Sequence, residues 1–186
     1  MQDKYRLKRA VEEKIDCHRR NATKETFDNL LLPGCETPLV VSNEAVFTYP
    51  VIYPFNKLYK GAYKFHKHYY SNVGNLENDG EEVDCAGFLD TLDEIKFWVR
   101  NIERNDRDSY WFQTSTDRFY PDFVCQLKNG RLLVVEYKNV KDWSNDDSKE
   151  KRSLGELWEA RSSGKCLFIM PKGKDFEAIR AKAKSK

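Results

Sequence analysis

Two apolar runs joined by a short polar turn, in the segment YPDFVCQLKNGRLLVVEYKN at residues 120–139, constrain this chain more than any other feature. Apolar runs of strand length that flank an Asn-Gly pair predict a β-hairpin. Charged residues stand at the end of the hairpin away from the turn: Asp122 near the start of the first run, Glu136 at the end of the second, and Lys138 two residues later. A buried hairpin has no structural need for these charges, so its open end is the candidate functional site.

The length of the turn decides whether the two carboxylates meet. A two-residue loop pairs Asp122 with Tyr137, whereas a three-residue loop pairs Asp122 with Glu136 and brings the acids together. Gly130 suits the left-handed third position of the longer loop. We therefore expect the three-residue loop, although the sequence leaves the shorter one open. Glu136 and Lys138 point to the same face in either case, because side chains alternate along a strand.

Two neighbouring carboxylates on a sheet repel each other and lose hydration, and a divalent cation compensates for both effects. Mg²⁺ prefers hard oxygen ligands, usually one or two carboxylates completed by water and substrate phosphate. Lys138 adds a positive charge that can orient a water molecule or stabilise charge on a phosphate. The sequence thus predicts the smallest set of chemical groups that hydrolysis of a phosphodiester bond requires. A surface salt bridge at a strand end is the alternative explanation of the same residues.

The motif and its surroundings resemble a known nuclease family. Pro121-Asp122 followed by Glu136-Tyr137-Lys138 resembles the PD-(D/E)XK signature of the restriction-endonuclease-like superfamily. The neighbouring segments resemble the carboxy-terminal nuclease region of type III restriction enzyme R (Res) subunits and their helicase-linked relatives, over roughly residues 60 to 170. These segments are, in order, GEEVDCAGFLD, IKFWVRNIER, YWFQTSTDRFYPDFVCQLKNGRLLVVEYKN and NDDSKEKRSLGELWEARSSGKCLFIM.

This resemblance implies an α/β fold with a restriction-endonuclease-like core, in which helices flank a central mixed β-sheet. It also implies Mg²⁺-dependent DNA cleavage, with Mn²⁺ as a substitute and the metal bound by Asp122, Glu136 and the backbone carbonyl of Tyr137. The expected partners are DNA, a helicase/ATPase domain or subunit, and a DNA-reading methylation subunit. The chain has no GxxxxGK[ST] loop, so we expect it to be either a piece of a longer protein or a nuclease that relies on another subunit for its motor.

The family also carries a glutamate on the first helix of its core, which points to the Glu81-Glu82 pair. We choose Glu82 because it lies four residues before the small Ala86, on the side expected to pack toward the sheet; Glu81 remains open. Asp79 and Glu82 also fit a capping box, with Asp79 as the N-cap. The predicted catalytic set is Glu82, Asp122, Glu136 and Lys138.

Basic residues offer candidate contacts to DNA. Lys149, Lys151 and Arg152 lie near the start of the helix after the hairpin and can contact phosphates, although a solvated helix face explains them nearly as well. YKFHKHYY, residues 63–70, alternates aromatic and basic side chains. It predicts either a stacking-capable cationic face or, slightly favoured, a half-solvated edge strand whose lysines oppose aggregation. His66 and His68 are expected to be exposed strand residues rather than ligands.

The rest of the chain is assigned from its hydrophobic pattern. Over residues 3–31 we expect a charged amphipathic helix or a helix pair, with a surface helix packed on one apolar stripe favoured. We further expect a β-like region over 37–74, a helix at EEVDCAGFLDTL, and a second helix at EIKFWVRNIER that buries Ile95, Trp98, Val99 and Ile102. A helix that ends near Gly164, a central strand at KCLFIM and a final helix over 175–184 follow. Residues 1–58 are predicted to form a helical and β extension, which is a candidate linker from an absent helicase motor, and residues 59–186 the nuclease domain.

Composition limits the setting in which the protein works. The net charge is only +2, so affinity for nucleic acid must come from local basic patches. The five cysteines are odd in number and form no CxxC pair, which favours a reduced compartment and no zinc site. The amino-terminal residues carry no apolar signal segment, and no stretch approaches a membrane span. We therefore expect a cytoplasmic protein with no membrane partner.

Overall fold

The computed structural model describes residues 2–31, 49–104, 108–115 and 117–185. Within these ranges the chain has an α/β architecture, as predicted. Its elements are α1 (Gln2–Leu31), α2 (Glu81–Thr91), β1 (Ile95–Arg100), β2 (Phe112–Gln113), β3 (Arg118–Phe119), β4 (Phe123–Leu127), β5 (Leu132–Val135), α3 (Asp146–Arg161), β6 (Cys166–Ile169) and α4 (Phe176–Lys184).

A mixed four-stranded sheet in the order β1-β4-β5-β6 forms the centre of the domain. Strands β1, β4 and β5 pair antiparallel, and β6 is parallel to β5. Helices α2 and α4 cover one face, where Leu89 and Ile179 pack with Leu133. Helix α3 covers the other face, where Trp158 packs with Val134. This arrangement confirms the predicted mixed sheet flanked by helices.

The β4–β5 hairpin has the three-residue loop that the sequence favours. Cys125 pairs with Leu133 and Phe123 with Val135. The Gly130 amide donates to the Leu127 carbonyl at 3.1 Å, and Gly130 has a φ of 88°, in the region that favours glycine. The longer loop is thus confirmed, and one further step in this register places position 122 opposite position 136.

The helix predicted over EIKFWVRNIER is wrong, because this segment forms strand β1 instead. A β-bulge near the start of the strand interrupts the side-chain alternation. Trp98 packs into the core under α2, whereas Val99 packs with Tyr53 and Ile102. The apolar residues therefore recur at helical spacing because both faces of a bulged strand are covered.

The predicted β extension is also wrong where the structure describes it. Residues 49–74 form no regular strand, only isolated bridges from Leu58 to Gly74 and from His68 to Trp98. Prolines in this region lack the amide hydrogen that a ladder requires, and ring packing takes its place. His68 is not exposed as predicted: it is half-buried, with its ring centroid 4.7 Å from that of Trp98. Residues 32–48 of the predicted extension lie outside the described ranges.

Strand β6 was predicted to be central, and this is wrong, because β6 lies at the end of the four-stranded sheet. Leu167 nevertheless packs toward the α4 side and Phe168 toward the α3 side. Helices on both faces explain the continuous apolar run, which is typical of strands buried on both faces.

The helices at both ends of the chain confirm their predictions. Helix α1 covers the predicted segment, and α4 begins one residue after the predicted start and ends where it was expected. The described side chains of α1 are exposed, among them Leu7, Val11 and Ile15. Over the described ranges, no helix combines the length and apolar character that crossing a membrane requires.

Candidate active site

The open end of the hairpin brings Asp122, Glu136 and Lys138 together. The Tyr137 amide donates to Asp122 Oδ2 at 2.7 Å, which fixes the Asp122 carboxylate beside the end of β5. Lys138 Nζ lies 3.4 Å from Glu136 Oε1. Three of the four predicted catalytic residues therefore share one edge of the sheet.

Glu136 is the most buried acid of this group, with 5% of its surface exposed. Its Oε2 atom is buried and has no hydrogen-bond partner among the described residues. Burial raises the pKa of Glu136 well above its usual range, the nearby Asp122 raises it further, and Lys138 opposes both effects. A buried carboxyl group of this kind either keeps a proton or takes a cation to offset its desolvation.

Glu82 enters the site from the start of α2. The predicted capping box is wrong: Gly80, with a φ of 104°, is the N-cap, and no side-chain hydrogen bond caps the helix. Glu82 contacts Arg100, and its pKa is raised to about 7 by burial first, with Arg100 opposing the rise and Asp122 adding to it. Glu81 instead accepts a hydrogen bond from the Tyr137 hydroxyl. The structure thus brings Glu82, rather than Glu81, beside Asp122.

Arg100, at the end of β1, lies between the two acids and was missed by the sequence interpretation. Its Nη2 atom contacts Glu82 and lies 3.3 Å from Asp122 Oδ1. Its Nη1 atom donates to the Asn101 and Asp122 carbonyls at 3.0 and 2.9 Å. Burial alone lowers the pKa of Arg100, but Asp122 and Glu82 outweigh burial and the pKa is raised. The available signal was an arginine directly after the mostly apolar segment IKFWV. Assigning this segment to a helix kept that signal from being recognised.

The three predicted DNA-contacting residues lie in different surroundings. Lys151 forms an ion pair with Asp147 at 2.8 Å and also interacts electrostatically with Glu136. Lys149 pairs with Asp146 on the exposed surface of α3. The Arg152 guanidinium lies 3.8 Å from the Trp143 ring centroid and donates to the Trp143 carbonyl. Lys151 is therefore the member of the three whose charge interacts with Glu136 and Asp122.

A cleft of about 560 Å³ is lined in part by Lys151, whereas the four predicted catalytic residues are not among its lining residues. Lys151 also interacts electrostatically with Glu136 and Asp122. The other lining residues carry mixed charge and include two arginines: Glu103, Arg104, Asp117, Arg118 and Tyr120. An open polar cleft with three cationic side chains suits a charged, extended ligand better than a small apolar one.

The donor atoms that the motif would offer to a cation are carboxylate and carbonyl oxygens. No group of three His, Cys, Asp or Glu side chains in the described ranges is arranged to hold a metal ion. The set implied by the motif is different, since it combines two carboxylates with the Tyr137 carbonyl. The unpartnered Oε2 of Glu136 beside Asp122 is an observation that fits a cation preferring oxygen ligands.

Comparisons with protein-family models, with curated proteins and with solved structures find no match to this chain. Function is therefore inferred from the geometry of the site and from the motif.

Proposed function

We propose that this chain is a Mg²⁺-dependent endonuclease domain with a restriction-endonuclease-like core, which hydrolyses phosphodiester bonds in DNA. The observation that carries the proposal is the hairpin register, which sets Asp122 opposite Glu136 with Lys138 in contact with Glu136. The order of α2, three antiparallel strands, α3 and a parallel β6 is compatible with such a core. A salt bridge at a strand end does not account for a buried Glu136 with an unpartnered oxygen.

Asp122, Glu136 and the Tyr137 carbonyl would hold the cation, Mg²⁺ or Mn²⁺. When bound, the ion supplies charge neutralisation at the scissile phosphate and a more acidic water molecule. Lys138, on the same face as Glu136, donates to the attacking water or to a phosphate oxygen. Glu82, whose pKa is raised to about 7, is suited to exchange a proton near neutral pH.

In this proposal, DNA binds along the cleft that Lys151 helps to line. Lys151 would contact the phosphates nearest the reacting bond, and the cleft arginines would contact those that flank it. Lys149 on the exposed face of α3 can add a phosphate contact, whereas Arg152 supports the Trp143 loop. Phosphate contacts carry no sequence information, so a DNA-reading methylation subunit and a helicase partner would supply selection and movement. We place this activity in the cytoplasm.

The substitution Asp122→Ala tests the proposal. We expect cleavage of plasmid DNA in Mg²⁺ to fall by at least about 100-fold, because one of the two acidic donors is lost. Asp93→Ala is the matched control, since Asp93 is an exposed acid outside the site. Cleavage by Asp122→Ala at the rate of the unchanged protein would contradict the assignment.

One observation favours a second candidate, a non-cleaving nucleic-acid-binding or helicase-docking module with the same fold. Arg100 already offsets the charge of Glu82 and Asp122, so these acids do not require a metal ion. Calorimetric titration with Mg²⁺ and Mn²⁺ separates the two candidates. Saturable binding that Asp122→Ala abolishes supports the nuclease, whereas DNA binding without any metal dependence supports the module.

A further inference from the structure

Arg100 is buried in the acid cluster, where its Nη1 and Nη2 atoms have partners while its buried Nε has none among the described residues. Its side chain donates to two backbone carbonyls, and its guanidinium carbon lies 5.4 Å from the Phe123 ring centroid. Its backbone amide donates to His68 Nε2 at 3.2 Å, and its carbonyl accepts from the Tyr53 hydroxyl at 2.6 Å. The contacts of Nη1 and Nη2 therefore hold the positive charge beside Glu82 and Asp122.

We propose that Arg100 is a positioning residue that acts as the internal counter-ion of Glu82 and Asp122 and opposes loading of a divalent cation until DNA is bound. The inference rests on the proposed function and deepens it, since it concerns control of the same site. In this arrangement Arg100 keeps the acids aligned without metal, and a DNA phosphate supplies the negative charge that makes metal binding favourable.

The two carboxylate oxygens of Asp122 have different partners. Asp122 Oδ2 accepts from the Tyr137 amide at 2.7 Å, while Oδ1 faces Arg100 Nη2 at 3.3 Å. Because Asp122 would be one of its ligands, a divalent cation here would be repelled by the guanidinium that contacts this carboxylate. A phosphate brought against the cation reduces this repulsion, because it adds negative charge and an oxygen ligand.

The test measures Mn²⁺ binding by calorimetry with the charge at position 100 removed. Arg100→Met is expected to bind Mn²⁺ at least about tenfold more tightly than the unchanged protein, because the repulsion is lost. Arg100→Lys retains the charge and is expected to remain weak. Arg180→Met is the matched control, since Arg180 lies on α4 and pairs with Glu177. Equal or weaker Mn²⁺ binding by Arg100→Met overturns the proposal.

A second experiment measures how Mn²⁺ binding depends on nucleic acid. A phosphorothioate-linked duplex, which resists cleavage, is expected to tighten Mn²⁺ binding to the unchanged protein clearly more than binding to Arg100→Met. An equal effect on both proteins overturns the proposal. Circular dichroism checks folding, and Arg100→Gln, which keeps a donor for the carbonyl contacts, replaces the Met variant if that variant does not fold.

The outcomes separate this inference from the nuclease assignment. Binding that Asp122→Ala abolishes, with no gain in Arg100→Met, overturns only the role of Arg100. Absence of Mn²⁺ binding in every variant, with or without the duplex, overturns both. A gain in Arg100→Met that is lost when Asp122→Ala is added supports both.

Discussion

A carboxyl group whose pKa is raised by folding makes a protein less stable as the pH rises. The pKa of Glu82 is raised from 4.5 to about 7, so between these values the folded state binds more protons than the unfolded state. The stability that protonated Glu82 contributes is therefore lost as the pH rises through this window. We expect Glu82→Gln to flatten the dependence of the unfolding free energy on pH between pH 5 and 8. At pH 8 the unfolding free energy of this variant should exceed that of the unchanged protein by on the order of 1–2 kcal/mol.

Urea denaturation at several pH values measures this effect. Glu156→Gln, at an exposed position of α3, should leave the slope with pH unchanged. A slope in Glu82→Gln equal to that of the unchanged protein would show that Glu82 does not titrate in this window.

At single residues the sequence predicted the acids better than their partners. The motif spacing and the expected three-residue loop together were enough to predict that Asp122, Glu136 and Lys138 lie at one edge of the sheet. The position of Arg100 depends on the strand in which it lies, and its contact with Glu82 joins two elements through the core. Such a contact has no local signature, which is why the pattern of one segment did not reveal it.

Two helical glycines test how closely the helices pack. Gly155 lies in α3, where an added Cβ would overlap the Phe168 ring, whereas a Cβ on Gly87 in α2 would meet only the Tyr63 ring, at 4.0 Å. We expect Gly155→Ala to lower the unfolding free energy by about 1–3 kcal/mol through overpacking. Gly87→Ala should raise it by about 0.5–1 kcal/mol through helix propensity.

Thermal or urea unfolding of both variants provides the measurement, and each variant serves as the control for the other. A stabilised Gly155→Ala would mean that α3 can move away from β6 at little cost. A destabilised Gly87→Ala would mean that α2 packs more tightly against residues 49–77 than the geometry indicates.

At the level of elements, the hairpin was predictable and β1 was not. The hairpin register follows from a local rule, in which Gly130 supplies the positive φ that a three-residue loop requires. Strand β1 contradicts its own helical spacing, because the bulge and the cover from Tyr53 and α2 bury residues on both faces. The spacing of apolar residues indicates which positions are buried. It identifies a helix reliably only when one face of the segment is buried.

On the scale of the whole molecule, the described residues contain one cluster of the acids proposed to be catalytic. If the proposed nuclease is correct, one domain cuts one strand at a time, and a double-strand break needs a second copy or a second visit. We expect supercoiled plasmid to give nicked circles first and linear DNA after a lag. The lag should shorten as the protein concentration rises, as gel electrophoresis over time would measure. Linear product without a nicked intermediate at low protein concentration would indicate a preformed pair of sites.

The number of residues in the loop at the far end of the hairpin decides which residues of β4 and β5 lie opposite each other. Residues 128–130 lie about 17–20 Å along the strands from the acids, since a strand rises about 3.3 Å per residue. Removing one residue there would shift β5 against β4 and turn Glu136 toward the opposite face from Asp122. Surface loops usually tolerate changes in length, but this one does not unless a bulge compensates. An insertion or deletion far from the acids would therefore act like a substitution at the proposed active site.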